Sequence, residues 1–165
     1  MKQPLWAIGT DLVCIPEFAS QLDVPGTRFA DVFTAGELRV AATRQPAQRA
    51  AHLAGRWAAK EAFIKAWSQA LYGRPPALAD VPPGIFRSLD VRPDAWGRVA
   101  VVPDAELDAA IRASLREVLA PPATTGQGSA DVSYTTSLSI SHDGDYATAS
   151  VMLSAVPCAV PGTTR

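Results

Sequence analysis

The stretch GRWAAKEAFIKAW, Gly55 to Trp67, decides the fold, because it lies at the centre of the longest regular element the sequence encodes. Pro46 can open that element at its first turn, and Gly73 and Pro75 stop it, so the spacing predicts a helix over about Pro46 to Tyr72. Wound at about 100° per residue from Leu53, the helix places Trp57, Ile64, Trp67 and Leu71 within about 40° of one line, with Ala51, Ala58 and Ala62 on the opposite side. An apolar stripe backed by small residues predicts burial on both faces. Charges interrupt it: Lys60 falls at about −20°, inside the stripe, while Glu61 and Lys65 follow at about +80° and +120° along its edge. A Glu and a Lys four apart usually form a solvated pair worth about 0.3–0.5 kcal/mol. On a helix buried on two faces, Glu61, Lys65, Lys60 and Arg56 one turn earlier can instead bind an anion through the cations. The carboxylate then holds Mg²⁺ with a second acid.

Asp11 is the obvious second acid. Trp6 to Ile15 (WAIGTDLVCI) is short, apolar and partly β-branched, which predicts a buried strand interrupted by Gly9, Thr10 and Asp11. Asp is depleted in strands, and a buried carboxylate must be paired, protonated or metal-bound. A local cap or turn is the plainer explanation, but the next helix starts five residues later at Pro16, out of capping reach. That helix should run through Glu17, Phe18 and Leu22 to a stop at Pro25-Gly26. Phe29 to Phe33 predicts a short helix, and Thr34 with Glu37 three residues on reads as a capping box.

Beyond the long helix, residues 74–87 form a proline-rich connection. Leu89 to Val91 and Arg98 to Val102 predict two strands, Asp104 to Leu119 an amphipathic helix, and residues 121–130 a loop. Val132 to His142 and Tyr146 to Leu153 flank Asp143-Gly144, a hairpin signal. Alternation along the first of these strands sets Ser137, Ser139 and Ser141 on one face and Leu138, Ile140 and His142 on the other. A histidine beside a turn is commonly a structural hydrogen-bonder; the other reading is a phosphate or ribose contact shared with Ser141.

The chain has 165 residues, enough for one domain, expected over 1–155 with a fraying tail at 156–165. Fifteen basic against sixteen acidic residues leave a net charge of −1, without the basic excess of a general nucleic-acid binder. No apolar run reaches the roughly 18–20 residues that span a bilayer, and Met1 to Trp6 lacks the features of a secretory signal, so a cytoplasmic location is expected. Cys14 and Cys158 have no zinc or redox spacing. G-x-S-x-G, Walker A and G-x-G-x-x-G are absent.

Taken in order, IGTDLV at 8–13, FTAGEL at 33–38, GRWAAKEAFIKAW at 55–67 and SLSISHDGDYATASVML at 137–153 resemble the holo-acyl-carrier-protein synthases, bacterial 4′-phosphopantetheinyl transferases. The W-x-x-K-E-A-x-x-K core is the most specific of these blocks. The resemblance implies an α+β fold with an antiparallel sheet packed around a long central helix, a single domain assembling as a homotrimer. It implies transfer of 4′-phosphopantetheine from coenzyme A to a serine of apo-acyl carrier protein, with Mg²⁺ and release of adenosine 3′,5′-bisphosphate, in fatty acid or polyketide biosynthesis. By motif position Asp11 and Glu61 would bind Mg²⁺, Glu61 would help deprotonate the serine through water, and Lys65 would neutralise the leaving phosphate. Arg56, Lys60, Ser141 and His142 fall where the family contacts the phosphates and nucleotide of coenzyme A. One departure is plain: where relatives carry arginines after the DLV segment, Glu17 and Phe18 stand here, leaving Arg28, Arg39 or Arg44 as candidate docking cations. Residues 74–87 and 121–136 are longer than in compact members. A non-catalytic coenzyme A- or nucleotide-binding module and a trimerising subunit of a larger synthase are the alternatives.

Overall fold

The structure is a computed structural model that describes residues 3–76, 84–119 and 131–158. The chain runs β1 (Leu5–Cys14), α1 (Ile15–Leu22), a 3-10 turn (Phe29–Val32), α2 (Ala35–Ala42), α3 (Pro46–Ala70), a second 3-10 turn (Ile85–Ser88), β2 (Leu89–Pro93), β3 (Val99–Pro103), α4 (Ala105–Leu119), β4 (Val132–Asp143) and β5 (Tyr146–Pro157). An antiparallel sheet in the order β1-β5-β4 lies against α3, and β2-β3 form a separate antiparallel pair. The α+β architecture around one long helix is as the sequence implied.

Small residues set how closely α3 meets the sheet. Ala58, Ala59, Ala62 and Ala66 are wholly buried on the helix, opposite Ala7 and Gly9 of β1 and Ala147, Ala149 and Ala155 of β5. At Gly9 the approach is closest, since a Cβ there would fall on the backbone of Ala62 and Ala66. This explains why β1 is a continuous ten-residue strand and not the interrupted one expected: Gly9 is the point of helix contact, not a break. Nor is β1 buried throughout. Ala7 and Gly9 face inward, whereas Trp6, Ile8 and Leu12 stand on the outer face at 57, 65 and 64 % exposure.

The large side chains of α3 fill two cores. Phe63, Trp67 and Leu71 pack with Leu89, Ile111 and Leu115, and Trp67 Nε1 donates to Ser114 Oγ at 2.9 Å. Leu53 and Ala54 join Phe18, Phe33 and Ala41, with Phe29 and Trp57 edge to face at 5.2 Å between ring centroids. Each of these large residues contributes on the order of 1.5–3 kcal/mol by leaving water. Phe18 is therefore a core residue at 3 % exposure and offers nothing to a docking partner.

Several boundaries move by physical causes. Asp104 caps α4 through Leu107 N and so precedes it. Residues 144 and 145, not 143 and 144, are the hairpin turn, because Asp143 pairs with Tyr146 and Gly144 takes φ 53°. Strand β5 pairs with Val132 as far as Pro157, past the expected strand end at Leu153. Much of the 74–87 and 121–136 connections, and most of the 156–165 tail, lies outside the described residues.

Candidate active site

Asp11, Glu61 and Lys65 meet where the inner face of β1 passes the edge of α3. Asp11 follows Ala7 and Gly9 on the inward side of the strand, so the alternation that buries those two turns its carboxylate towards the helix. Lys65 Nζ reaches Asp11 Oδ1 at 2.7 Å, the ammonium half exposed and the Asp11 side chain 14 % exposed. Thr148 Oγ1 on β5 donates to the Asp11 carbonyl at 2.8 Å and holds the strand in place. The simple i,i+4 pair is not what forms: Lys65 crosses to the sheet, and Glu61 makes no ion pair among the described residues. Burial, then the nearby Asp11 charge, pushes the Glu61 carboxyl above its usual range, with Lys65 opposing. Both carboxylates line a cavity of about 330 Å³ shared with Glu17, Gln21, Phe29 and Trp57.

Two carboxylates beside a single lysine, which pairs with Asp11, carry excess negative charge, and burial, more than the Asp11 charge, keeps Glu61 raised. Hard oxygen donors, partly open to solvent, suit Mg²⁺, which usually takes one or two carboxylates and leaves its other positions to water and phosphate. No group of three or more His, Cys, Asp or Glu side chains able to hold a metal exists among the described residues. The donor set therefore fits a cation completed by a substrate and not one caged by protein.

The remaining expected residues separate. Lys60 is a correction: it is buried completely, with Nζ bonded to Glu37 Oε2 at 2.7 Å and donating to the carbonyls of Val32 and Phe86 at 2.8 Å each. Its three protons are satisfied inside the fold, so none is left for a coenzyme phosphate. Glu37 also accepts from Thr34 N in the expected capping box and from Val91 N at 2.9 Å, tying α2, α3 and β2 together. His142 faces α3, where Nε2 donates to the Ala51 carbonyl at 3.0 Å; a carbonyl only accepts, so that nitrogen carries the proton. Ser141 points to the opposite, outer face of the sheet, so one chain does not present the two side chains together. Arg56 lies on the α2 and β2 side of α3, in a second cavity with His52.

Gly55 is a position that sequence reasoning passed over. A Cβ there would sit 2.9 Å from His142 Nε2, so only glycine lets the ring seat against the helix. Its signal was a glycine inside a helix, which costs about 1 kcal/mol against alanine and so asks for a reason.

Residues 7–120 match the model of the 4′-phosphopantetheinyl transferase superfamily, and the chain belongs to that superfamily. Within it the chain groups with the holo-acyl-carrier-protein synthases. A holo-[acyl-carrier-protein] synthase of Corynebacterium glutamicum is 52 % identical over 147 residues, covering 89 % of this chain and 96 % of the relative. One of Mycobacterium sp. is 44 % identical over 86 % and 91 % of the two chains. Among solved structures, the ACPS-CoA complex of Chronobacterium ammoniagenes superposes with a TM-score of 0.69 at 48 % identity, over 90 % of this chain and 96 % of the other.

Proposed function

We propose that the chain transfers 4′-phosphopantetheine from coenzyme A to a serine of apo-acyl carrier protein. The serine oxygen bonds to the phosphorus next to pantetheine, the bond from that phosphorus to the bridging oxygen breaks, and adenosine 3′,5′-bisphosphate leaves. The observation that supports this most is the meeting of Asp11, from β1, with Glu61 and Lys65, from α3, around one cavity. Coenzyme A in the related complexes gives the donor.

Asp11 and Glu61 would hold Mg²⁺, which when bound would neutralise charge on the pyrophosphate. Glu61, with its proton affinity raised by burial and Asp11, is suited to take the serine proton through a water. Lys65 is a half-exposed ammonium already aimed at the site, placed to balance charge on the leaving phosphate. Trp57 and Phe29 form an apolar wall of the cavity.

The outer sheet face supports the homotrimer. Trp6, Ile8, Leu12 and Met152 are exposed together across β1 and β5, an apolar patch of the kind that covers itself with a neighbouring chain. Ser141 stands on this face, so a neighbouring copy would bring it to a site shared between subunits. A place in fatty acid or polyketide biosynthesis and a cytoplasmic location complete the reading; no helix among the described residues is long and apolar enough to cross a membrane.

Glu61→Gln and Asp11→Asn test the assignment. Each should abolish loading of apo-acyl carrier protein with coenzyme A and Mg²⁺ while circular dichroism stays that of the parent. Full activity in both would remove the carboxylates from the mechanism. Coenzyme A binding with no transfer to any carrier protein, by the unaltered chain, would favour the binding-module alternative.

A further inference from the structure

Lys65 has two acids within reach and engages only one. Glu61 stands one turn before it on α3, the spacing at which a Glu and a Lys commonly pair, yet Lys65 Nζ crosses to β1 and donates to Asp11 Oδ1 at 2.7 Å. Glu61 is left without an ion pair within 4 Å among the described residues, although the charges of Asp11 and Lys65 both act on it. The two partners that do meet differ in freedom. Asp11 is carried by a strand paired with β5 along its whole length, and its carbonyl accepts from Thr148 Oγ1. The Lys65 side chain is half exposed and has no other acceptor among the described residues. The lysine can therefore turn away into water while the aspartate stays in place.

Its position beside the cavity gives that freedom a use. Asp11 and Glu61 line the cavity of about 330 Å³, as do Glu17 and Gln21, but no Lys, Arg or His does. Lys65 is held on Asp11 outside that wall, so to meet the phosphates of a donor it must release the carboxylate. While it stays, it cancels one of the two carboxylate charges that would face a divalent cation, and its own charge repels that cation. Mg²⁺, which gives up its water reluctantly, is then weakly held by the one carboxylate that remains.

We propose that Lys65 is an electrostatic guard on Asp11, drawn off by the phosphates of the donor, so that donor and Mg²⁺ bind cooperatively. The proposal rests on the transfer reaction and the carboxylate assignment given above. With the ammonium on Asp11, the donor-free protein has low affinity for Mg²⁺. A pyrophosphate offers Lys65 more negative charge than one carboxylate does, so the ammonium swings from Asp11 to phosphate. Asp11 and Glu61 then present both charges to the cation, and the same movement puts the ammonium on the group that leaves. The coupling is reciprocal: Mg²⁺ raises the affinity for the donor by the same factor by which the donor raises the affinity for Mg²⁺. Besides its contact with phosphate, Lys65 is thus a positioning residue that acts on the metal through Asp11.

The test is calorimetric titration with Mg²⁺ of the donor-free protein and of the protein saturated with coenzyme A, with Mg²⁺ binding by coenzyme A alone subtracted. Donor-free Lys65→Met protein should bind Mg²⁺ about tenfold more tightly than the parent, and the factor by which coenzyme A raises that affinity should fall about tenfold. Lys65→Gln should behave as Lys65→Met does, and Lys65→Arg, which keeps the charge on Asp11, as the parent does. Donor-free Lys65→Met binding Mg²⁺ no more tightly than the parent, or gaining as much as the parent from coenzyme A, overturns the proposal. The carboxylate assignment is judged separately by Asp11→Asn, which should lose Mg²⁺ binding in the presence of coenzyme A. Parental binding in that variant removes the assignment, and the guard with it.

Discussion

Replacing Lys60 by methionine should cost most of what a domain of this size can spare. The Lys60 and Glu37 side chains are 0 and 1 % exposed, so neither can turn to water when its partner goes. Methionine keeps the length and apolar stem but strands the Glu37 carboxylate, with only the Val91 and Thr34 amides left to it. It also leaves the Val32 and Phe86 carbonyls without their donor. Removing one member of a buried pair costs about 3–5 kcal/mol, against a total stability of about 5–15 kcal/mol. The stranded carbonyls overlap with that figure and push it to the upper end. Adding Glu37→Gln removes the isolated charge while its carbonyl oxygen still accepts from one amide, so the double variant should regain about 1–2 kcal/mol over Lys60→Met. Urea unfolding followed by tryptophan fluorescence reads both, provided the slope with denaturant is unchanged. A loss below about 1 kcal/mol, the value of an exposed pair, would refute the reasoning. So would a double variant less stable than the single one.

Three further outcomes follow from particular contacts. Gly9→Ala forces the sheet away from α3 at Ala62 and Ala66, and should lose about 1–3 kcal/mol or more in urea together with carrier loading, since Asp11 is two residues along the strand; unchanged stability would mean the helix is not held there. His52 titrates at about 4 in the fold against 6.5 in the unfolded chain, so only the unfolded chain takes up the proton as pH falls from about 6.5 to 4. That window should drain about 3 kcal/mol, and His52→Gln should flatten it; equal acid sensitivity would contradict the burial of the ring. Ile8→Glu, on the outer face of β1, should convert a trimer into monomers in sedimentation, whereas a monomeric parent would dismiss the shared site.

The long helix and the hairpin strands were legible because prolines and glycines mark their ends and the α3 stripe has a helical period. The capping box at Thr34 and Glu37 was legible for the same local reason, and the structure contains it. Sequence could not show that Glu37 also receives Lys60 and Val91, since those partners lie 23 and 54 residues away. Lys60 was thus read as an anion ligand from its place in a cluster of charges and from the family resemblance, although its angle on the helix put it in the core. Gly9 looked like a strand breaker because its reason, the helix backbone above it, belongs to another element. Asp11 and Glu61 were paired because a carboxylate inside an apolar strand asks for a partner and by motif position, but which of them Lys65 would choose needed coordinates. His52 drew no attention because a single histidine on a helix has no pattern until Arg56 and the strand opposite close a cavity around it.

The central claim is a chemical one, and the intact mass of a carrier protein tests it most directly. Apo-acyl carrier protein incubated with this protein, coenzyme A and Mg²⁺ should gain the mass of one phosphopantetheine group, and Glu61→Gln protein should leave it unmodified. An unchanged mass with the unaltered, folded chain, across acyl carrier proteins that a related synthase does load, would contradict the account.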